Sequence, residues 1–154
     1  MLFGVIGGDR RQAELLKLLR QDGYQAAAYG TAGETDWERA VSAEVVLLPL
    51  PLCREGDTIN IEGEQRGIGA LLRQMRRDQL LLAGQVKPAQ TAEAAELDLN
   101  LIDYFKREEL TVANAAATAE GTVQVILERL ERSLLGSRCL VLGFGRIGKL
   151  LCHR

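Results

Sequence analysis

The residues best suited to chemistry lie at Gly143-x-Gly145-x-x-Gly148, with Arg146 and Ile147 between the last two glycines. The motif follows an apolar run, Arg138 to Leu142, and opens a stretch that reads as helix. In that setting three glycines permit a tight turn, a close approach of backbone to a pyrophosphate, and tight packing of helix on strand. The helix start adds free N–H groups and the positive end of a dipole for phosphates. A glycine-rich turn of an ordinary α/β unit is the plainer alternative. The stretch Gly143 to Lys149 also fits the spacing of a P-loop. A P-loop, however, needs Ser or Thr next to hold magnesium, and Leu150 stands there.

A second glycine turn, Gly7-Gly8-Asp9-Arg10-Arg11, follows the apolar run Leu2 to Ile6. Gln12 occupies the place of a third glycine, so this turn reads as an anion-holding rather than a dinucleotide turn. Its helix start, with Arg10 or Arg11 beside it, suits a carboxylate. Asp9 and Gln12 also form an Asp capping box, and a plain cap with both arginines in solvent is the alternative. Pro49 and Pro51 end another strand, at the rim where open α/β sheets hold ligands. A third cluster, Asn114 to Thr122, offers Asn114, Thr118 and Glu120 among small residues. Glu120 is a candidate acid or base if partly buried. Helix caps and exposed positions are the alternative roles for this cluster.

These residues need a scaffold, and the pattern supplies one. Strands are predicted at Leu2–Ile6, Tyr24–Tyr29, Glu44–Leu48, Gln79–Ala83 and Leu101–Phe105. Helices are predicted from the Asp9 cap to about Asp22, near Trp37–Val41, at Ile68–Arg77 and weakly at Thr91–Leu97. Residues 30–36 read as loop, and Thr58–Ile61 as part of a small hairpin. Alternation of strands and helices predicts a doubly wound, mainly parallel sheet of Rossmann or flavodoxin type. A linking helix with apolar positions from Val112 to Leu134 closes at Gly136. A fresh strand, Arg138–Leu142, follows it. The expected division is an α/β substrate-side domain over 1–111, a linking helix over 112–136, and the start of a dinucleotide-binding domain over 137–154. The ribose-reading acid or arginine belongs about 20 residues beyond the glycines. NAD and NADP therefore fit equally, the nucleotide site is expected to be incomplete in these residues, and the tail strand is expected to be poorly ordered, to add to the edge of the first sheet, or to pair with another chain.

Composition narrows the function classes. Net charge is −2, and 26% of residues are charged with both signs mixed along the chain, unlike a nucleic-acid binder. Cys53, Cys139 and Cys152 are widely spaced, with His153 as the only histidine, which argues against a structural zinc site. They fit a reducing cytosol. The longest apolar run, Val45 to Cys53, is too short to span a bilayer, and no signal sequence opens the chain.

Val5-Ile6-Gly7-Gly8-Asp9-x-Arg11-Gln12, Leu48-Pro49-x-Pro51, Asn114-x-x-x-Thr118-Ala119-Glu120-Gly121 and Leu142-Gly143-x-Gly145-Arg146-x-Gly148 occur in that order. In them the chain resembles the family of dipicolinate synthase A subunits, with one departure: Ala117 stands where proline is expected. The resemblance implies an N-terminal α/β domain followed by a Rossmann domain for a nicotinamide cofactor. It implies oxidation of a dihydrodipicolinate-type heterocycle to dipicolinic acid, in the mother-cell cytoplasm of a spore-forming bacterium. It also implies a protein partner, the flavoprotein-like B subunit of dipicolinate synthase. A small dicarboxylate substrate and a homo-oligomer are expected, and neither nucleic acid nor membrane. The substrate would meet Gly7, Gly8, Asp9, Arg10, Arg11, Pro51, Asn114 and Thr118. The cofactor would meet Gly143, Gly145, Arg146, Ile147 and Gly148. Two other readings remain: a related alanine-dehydrogenase-like or homocysteinase-like enzyme, or a non-enzymatic ligand-binding or assembly module.

Overall fold

The computed structural model describes residues 1–154 and divides into two units, Met1–Lys106 and Arg107–Arg154. In the first unit, short apolar runs form the parallel strands β1 (Leu2–Ile6), β2 (Gln25–Thr31), β4 (Val45–Leu47), β5 (Leu80–Ala83) and β6 (Asn100–Asp103). A two-residue strand, β3 (Glu34–Thr35), pairs antiparallel with β2 at one edge. The order across the sheet is β3-β2-β1-β4-β5-β6. The parallel strands alone therefore run second, first, third, fourth, fifth, the flavodoxin-like order. The order reverses between β1 and β4, and their C-terminal ends flank the ligand crevice that such sheets use.

Alternation within each strand divides the core between two faces. Val5, Ala28, Val45 and Leu47 meet Leu16 of α1 (Arg10–Gln21) on one face. Ile6, Ala27, Val46, Leu48 and Leu81 lie on the other, with Ala40 of α2 (Trp37–Val41), Ile68, Leu71 and Leu72 of α3 (Ile68–Leu72) and Ala94 of α4 (Pro88–Glu96). Gly4 lets α2 approach β1: a Cβ there would lie 2.8 Å from the Ala40 carbonyl carbon and 3.0 Å from the Ala43 Cβ. The Asp9 capping box with Gln12 is present at α1.

Several elements differ from expectation. Residues 30–36 are not all loop, because β2 runs on to Thr31 and turns back into β3. Arg20 fixes that edge, its guanidinium gripping Glu34 at 2.6 and 2.9 Å and the Ala26 carbonyl at 2.9 Å. The helix expected over Ile68–Arg77 ends at Leu72. Gln79 explains the stop. Fully buried, it accepts from Arg76 N–H at 2.6 Å and donates to Val41 and Ala43 carbonyls at 2.7 and 2.5 Å. Helix α4 begins at Pro88, where the missing N–H is tolerated, earlier than the Thr91 expected. The last strand ends at Asp103, whose carboxylate accepts from Gln85, Val86 and Phe105 N–H groups, and Tyr104–Lys106 is a 3-10 turn.

The second unit holds α5 (Glu108–Arg129) and α6 (Arg146–Cys152). The long helix thus starts before Val112 and ends before Gly136. Leu130 already has extended backbone, with ψ of 131°. Only Ala115 and Ala119 of α5 are buried. The segment Arg138–Leu142 is not a strand, and it makes no backbone hydrogen bonds. Leu140 and Leu142 are exposed. No helix of the chain is long and apolar enough to cross a membrane.

Candidate functional site

In the first unit the site is the rim at the switch point. Gly7 and Gly8 have positive φ, +62° and +88°, which carries the chain from β1 into α1. Their N–H groups are both engaged within the unit. Gly7 donates to the Tyr29 carbonyl and Gly8 to the Asn60 carbonyl, each at 2.7 Å. Asp9 N–H donates to Gln12 Oε1 at 3.2 Å. The two glycines serve steric packing as well: a Cβ on Gly7 would come 2.6 Å from the Asn60 oxygen. An anion at this turn therefore meets side chains rather than the two glycine amides.

Arg11 ties the rim together. Its Nε and Nη2 donate to Asp9 at 3.0 and 2.8 Å, and Nη2 also donates to the Leu50 carbonyl at 2.7 Å. This joins the head of α1 to the segment after β4, just before the cis Leu50–Pro51 peptide. Arg11 Nη1 has no protein partner. The hydrogen bond from Arg11 holds the Asp9 carboxyl below its usual range, with a smaller contribution from the Arg54 charge. Burial pushes the Tyr104 phenol up, against the pull of the Arg11 guanidinium. Arg10 is exposed and makes no side-chain hydrogen bond.

Gly7, Gly8, Asp9, Arg11 and Pro51 are thus brought to one rim. Asn60, Arg54, Tyr104 and the Leu50 carbonyl belong to it too, and nothing in their spacing marks them in the sequence. Asn60 donates from Nδ2 to the Pro51 carbonyl at 3.3 Å, while its Oδ1 is buried without a partner. Beside the rim, a hollow of about 640 Å³ is lined by Arg54, Glu55, Thr58, Ile59, Ile61 and Glu64 among others. Its wall is pinned to the sheet edge. Glu64 accepts from the Tyr29 hydroxyl and from Arg66 Nε, and the Arg66 guanidinium lies 3.9 Å over the Trp37 ring.

In the second unit the glycine turn leads into α6, but the strand expected before it is absent. Gly143 has φ of +106°, a conformation that favours glycine. Gly148 is buried, and a Cβ there would overlap the Gly143 carbonyl. Gly145 caps α6 with open space where its Cβ would stand. The three positions thus give a turn, a packing contact and an open approach. Arg146 pairs with Glu108, and Ile147 is exposed. Of the α5 candidates, Asn114 and Thr118 are exposed, with the Thr118 hydroxyl donating to the Asn114 carbonyl at 2.7 Å. Glu120 is exposed and accepts from Arg154 at 2.9 Å, a surface ion pair rather than the partly buried setting that an acid–base role requires.

Comparison with known proteins gives a consistent result. The profile of the N-terminal domain of the dipicolinate synthase A subunit matches residues 2–105. The dipicolinate synthase A subunit of Bacillus subtilis (strain 168) is 24% identical over 163 aligned positions, covering 95% of this chain and 54% of that protein. The crystal structure of the B. subtilis dipicolinate synthase A subunit superposes with a TM-score of 0.70 at 19% identity, over 98% of this chain and 55% of that one. The A-subunit structure from Bacillus halodurans gives 0.73 at 21% identity, over 97% and 56%. The chain spans about half the length of the relatives it matches.

Proposed function

Because this chain belongs to the family of dipicolinate synthase A subunits, we propose that it is the substrate-side portion of a nicotinamide-dependent oxidoreductase that makes dipicolinic acid. The observation that carries the redox reading is the division of labour among Gly143, Gly145 and Gly148, which is that of a dinucleotide turn. The residues present fit a pyrophosphate at the open Gly145 face, with α6 N–H groups as donors. NAD or NADP would supply the hydride acceptor for a two-electron oxidation of a dihydrodipicolinate-type precursor.

The first unit binds and orients the dicarboxylate. Arg11 Nη1 and Arg54 are the cations at the switch-point rim, and Tyr104 adds a hydroxyl whose proton is firmly held. Asp9 acts through Arg11, fixing the plane of the guanidinium. The complete reaction takes place in the mother-cell cytoplasm of a spore-former, with the flavoprotein-like B subunit for partner.

The test uses the longer family protein that includes this segment, assayed in the presence of the B subunit. Arg11→Ala is expected to raise the KM for the precursor by about tenfold, the equivalent of about 1.4 kcal/mol, with cofactor affinity unchanged. Gly145→Val is expected to do the reverse, weakening the cofactor with little change in substrate affinity. An Arg11 variant with wild-type KM removes the substrate assignment. A Gly145 variant with wild-type cofactor affinity removes the redox assignment.

A further inference from the structure

The hollow beside the rim has a single cation in its lining, Arg54. Ile59 and Ile61 give it apolar surface, and Thr58 adds a hydroxyl. One acid of the lining, Glu64, is already engaged by the Tyr29 hydroxyl and by Arg66. Arg54 is exposed, and its guanidinium makes no hydrogen bond and no ion pair, although Glu55 and Asp57 lie near it in sequence. Arg66, Arg73, Arg76 and Arg77, by contrast, each hold a carboxylate. Arg54 is thus a cation left open beside the switch point.

Backbone hydrogen bonds fix where it stands. Gly8 N–H donates to the Asn60 carbonyl at 2.7 Å, and Asn60 N–H donates to the Leu52 carbonyl at 2.9 Å. Cys53 and Ile59 form an antiparallel bridge, and Arg54 N–H donates to the Thr58 carbonyl at 3.3 Å. Arg54 therefore lies two residues beyond Leu52, on a short ladder whose inner rung touches the glycine turn. Arg11 grips the same segment earlier, at the Leu50 carbonyl. The four residues of chain from Leu50 to Arg54 span at most about 14 Å, within the joint reach of two arginine side chains. Both guanidiniums lower the Asp9 carboxyl, Arg11 by its hydrogen bond and Arg54 by its charge, which brings both to the head of α1. Arg11 has Nη1 to offer, since Nε and Nη2 are held by Asp9 and Leu50.

We propose that Arg54 sets a preference for dicarboxylates over monocarboxylates, an inference that rests on the substrate-side reading of this rim. One carboxylate takes Arg11 Nη1, the ring lies against Ile59 and Ile61, and the second carboxylate takes Arg54 with Thr58 beside it. Arg11 is then common to every acid the rim binds. Arg54 matters only when a second carboxylate is present. Glu55, the other acid of the lining, opposes Arg54 and limits the gain.

The test titrates the isotope-labelled 154-residue chain at matched ionic strength and follows its amide shifts. The probes are isophthalate, a benzene ring with two carboxylates, and benzoate, the same ring with one. Neither can undergo the proposed oxidation, so the result does not depend on the redox assignment. Isophthalate is expected to bind about tenfold more tightly than benzoate, as one exposed charge-assisted contact allows. Arg54→Gln is expected to abolish that ratio with benzoate affinity unchanged, and Arg54→Lys to keep part of it. Arg11→Ala is expected to weaken both acids alike. Arg10→Gln removes an equal charge at the same turn and is expected to leave the ratio intact. An equal fall in the Arg10 and Arg54 variants would reduce the effect to net charge and overturn the proposal. So would the absence of isophthalate binding, a wild-type ratio below about twofold, or a ratio that survives Arg54→Gln. Dipicolinate and picolinate are titrated alongside. If only the isophthalate ratio responds to Arg54, the substrate reading fails while the Arg54 assignment stands.

Discussion

Arg11→Ala is expected to destabilise the first unit by about 1–2 kcal/mol. The magnitude follows from the two kinds of contact that Arg11 makes. The fork onto Asp9 is about half exposed on both sides, 53% and 47%, so screening limits it to about 0.5 kcal/mol. The bond from Nη2 to the Leu50 carbonyl is 2.7 Å long, partly buried and charge-assisted, a class worth about 1.5–3 kcal/mol. Water can reach the rim once the side chain is gone, which places the loss at the low end. The helix cap survives, because Asp9 Oδ1 still accepts from the Arg11 backbone N–H at 2.9 Å. Arg11→Lys is expected to recover less than half of the loss, since an ammonium cannot hold Asp9 and Leu50 in one plane. Urea unfolding followed by Trp37 fluorescence reports on this unit alone, as Trp37 is the only tryptophan. The pH dependence gives an independent check. The folded Asp9 carboxyl sits below its ordinary value, so its contribution is present above about pH 4 and lost as pH falls through the folded value. That part of the acid slope should shrink in Arg11→Ala, leaving what the residue 11 backbone N–H and the Arg54 charge contribute. A loss under about 0.3 kcal/mol, or a lysine variant as stable as wild type, would refute the picture of Arg11 as a tie across the switch point.

Gln79→Leu should cost at least about 3 kcal/mol, because it leaves the Arg76 N–H and the Val41 and Ala43 carbonyls without their partner; thermal unfolding measures it. Glu34→Gln should cost about 0.5 kcal/mol at neutral pH, the pair being 32% and 44% exposed. The Arg20 hydrogen bond holds the Glu34 carboxyl low, so wild type and variant should converge as acid titrates it below about pH 4, read in the same urea assay. Gly148→Ala drives a methyl into the Gly143 carbonyl and should speed amide exchange throughout α6 by about tenfold or more, while leaving exchange in β1 and β4 unchanged.

Much of the first unit is legible in its sequence because local and tertiary signals agree there. Asp9 and Gln12 are a cap in isolation and remain one in the fold. The apolar run at Val45–Leu47 can only be a covered central strand, and it lies between β1 and β5. Misreadings arise where a distant partner decides. Gln79 ends α3 by reaching back to Val41 and Ala43, neighbours that no local pattern reveals. Arg20 makes an edge strand of residues that read as loop, by bonding Glu34. The rim is legible only in part for the same reason. Glycine and arginine at the first turn are visible, whereas Asn60 arrives from a loop held by isolated bridges rather than the hairpin expected, and its placement depends on Gly7 having no side chain.

The two glycine turns show why similar spelling does different work. Each follows an apolar run and opens a helix, and each begins with a glycine in a left-handed conformation. They diverge at the position of the third glycine. In the first turn Gln12 stands there, buried, with its side chain folded back over Gly8 and its Oε1 accepting from Asp9 N–H. The Gly8 amide is engaged by the Asn60 carbonyl, and Asp9 places a carboxylate at the head of the helix. A pyrophosphate would meet an anion and two occupied donors. In the second turn glycine at 148 lets the helix settle on the Gly143 carbonyl, glycine at 145 leaves the approach open, and no side chain caps the helix. The first turn is therefore a structural joint whose charge is presented sideways through Arg11, suited to orienting a carboxylate at the switch point. The second leaves open space at Gly145, the feature on which the proposed cofactor reading rests.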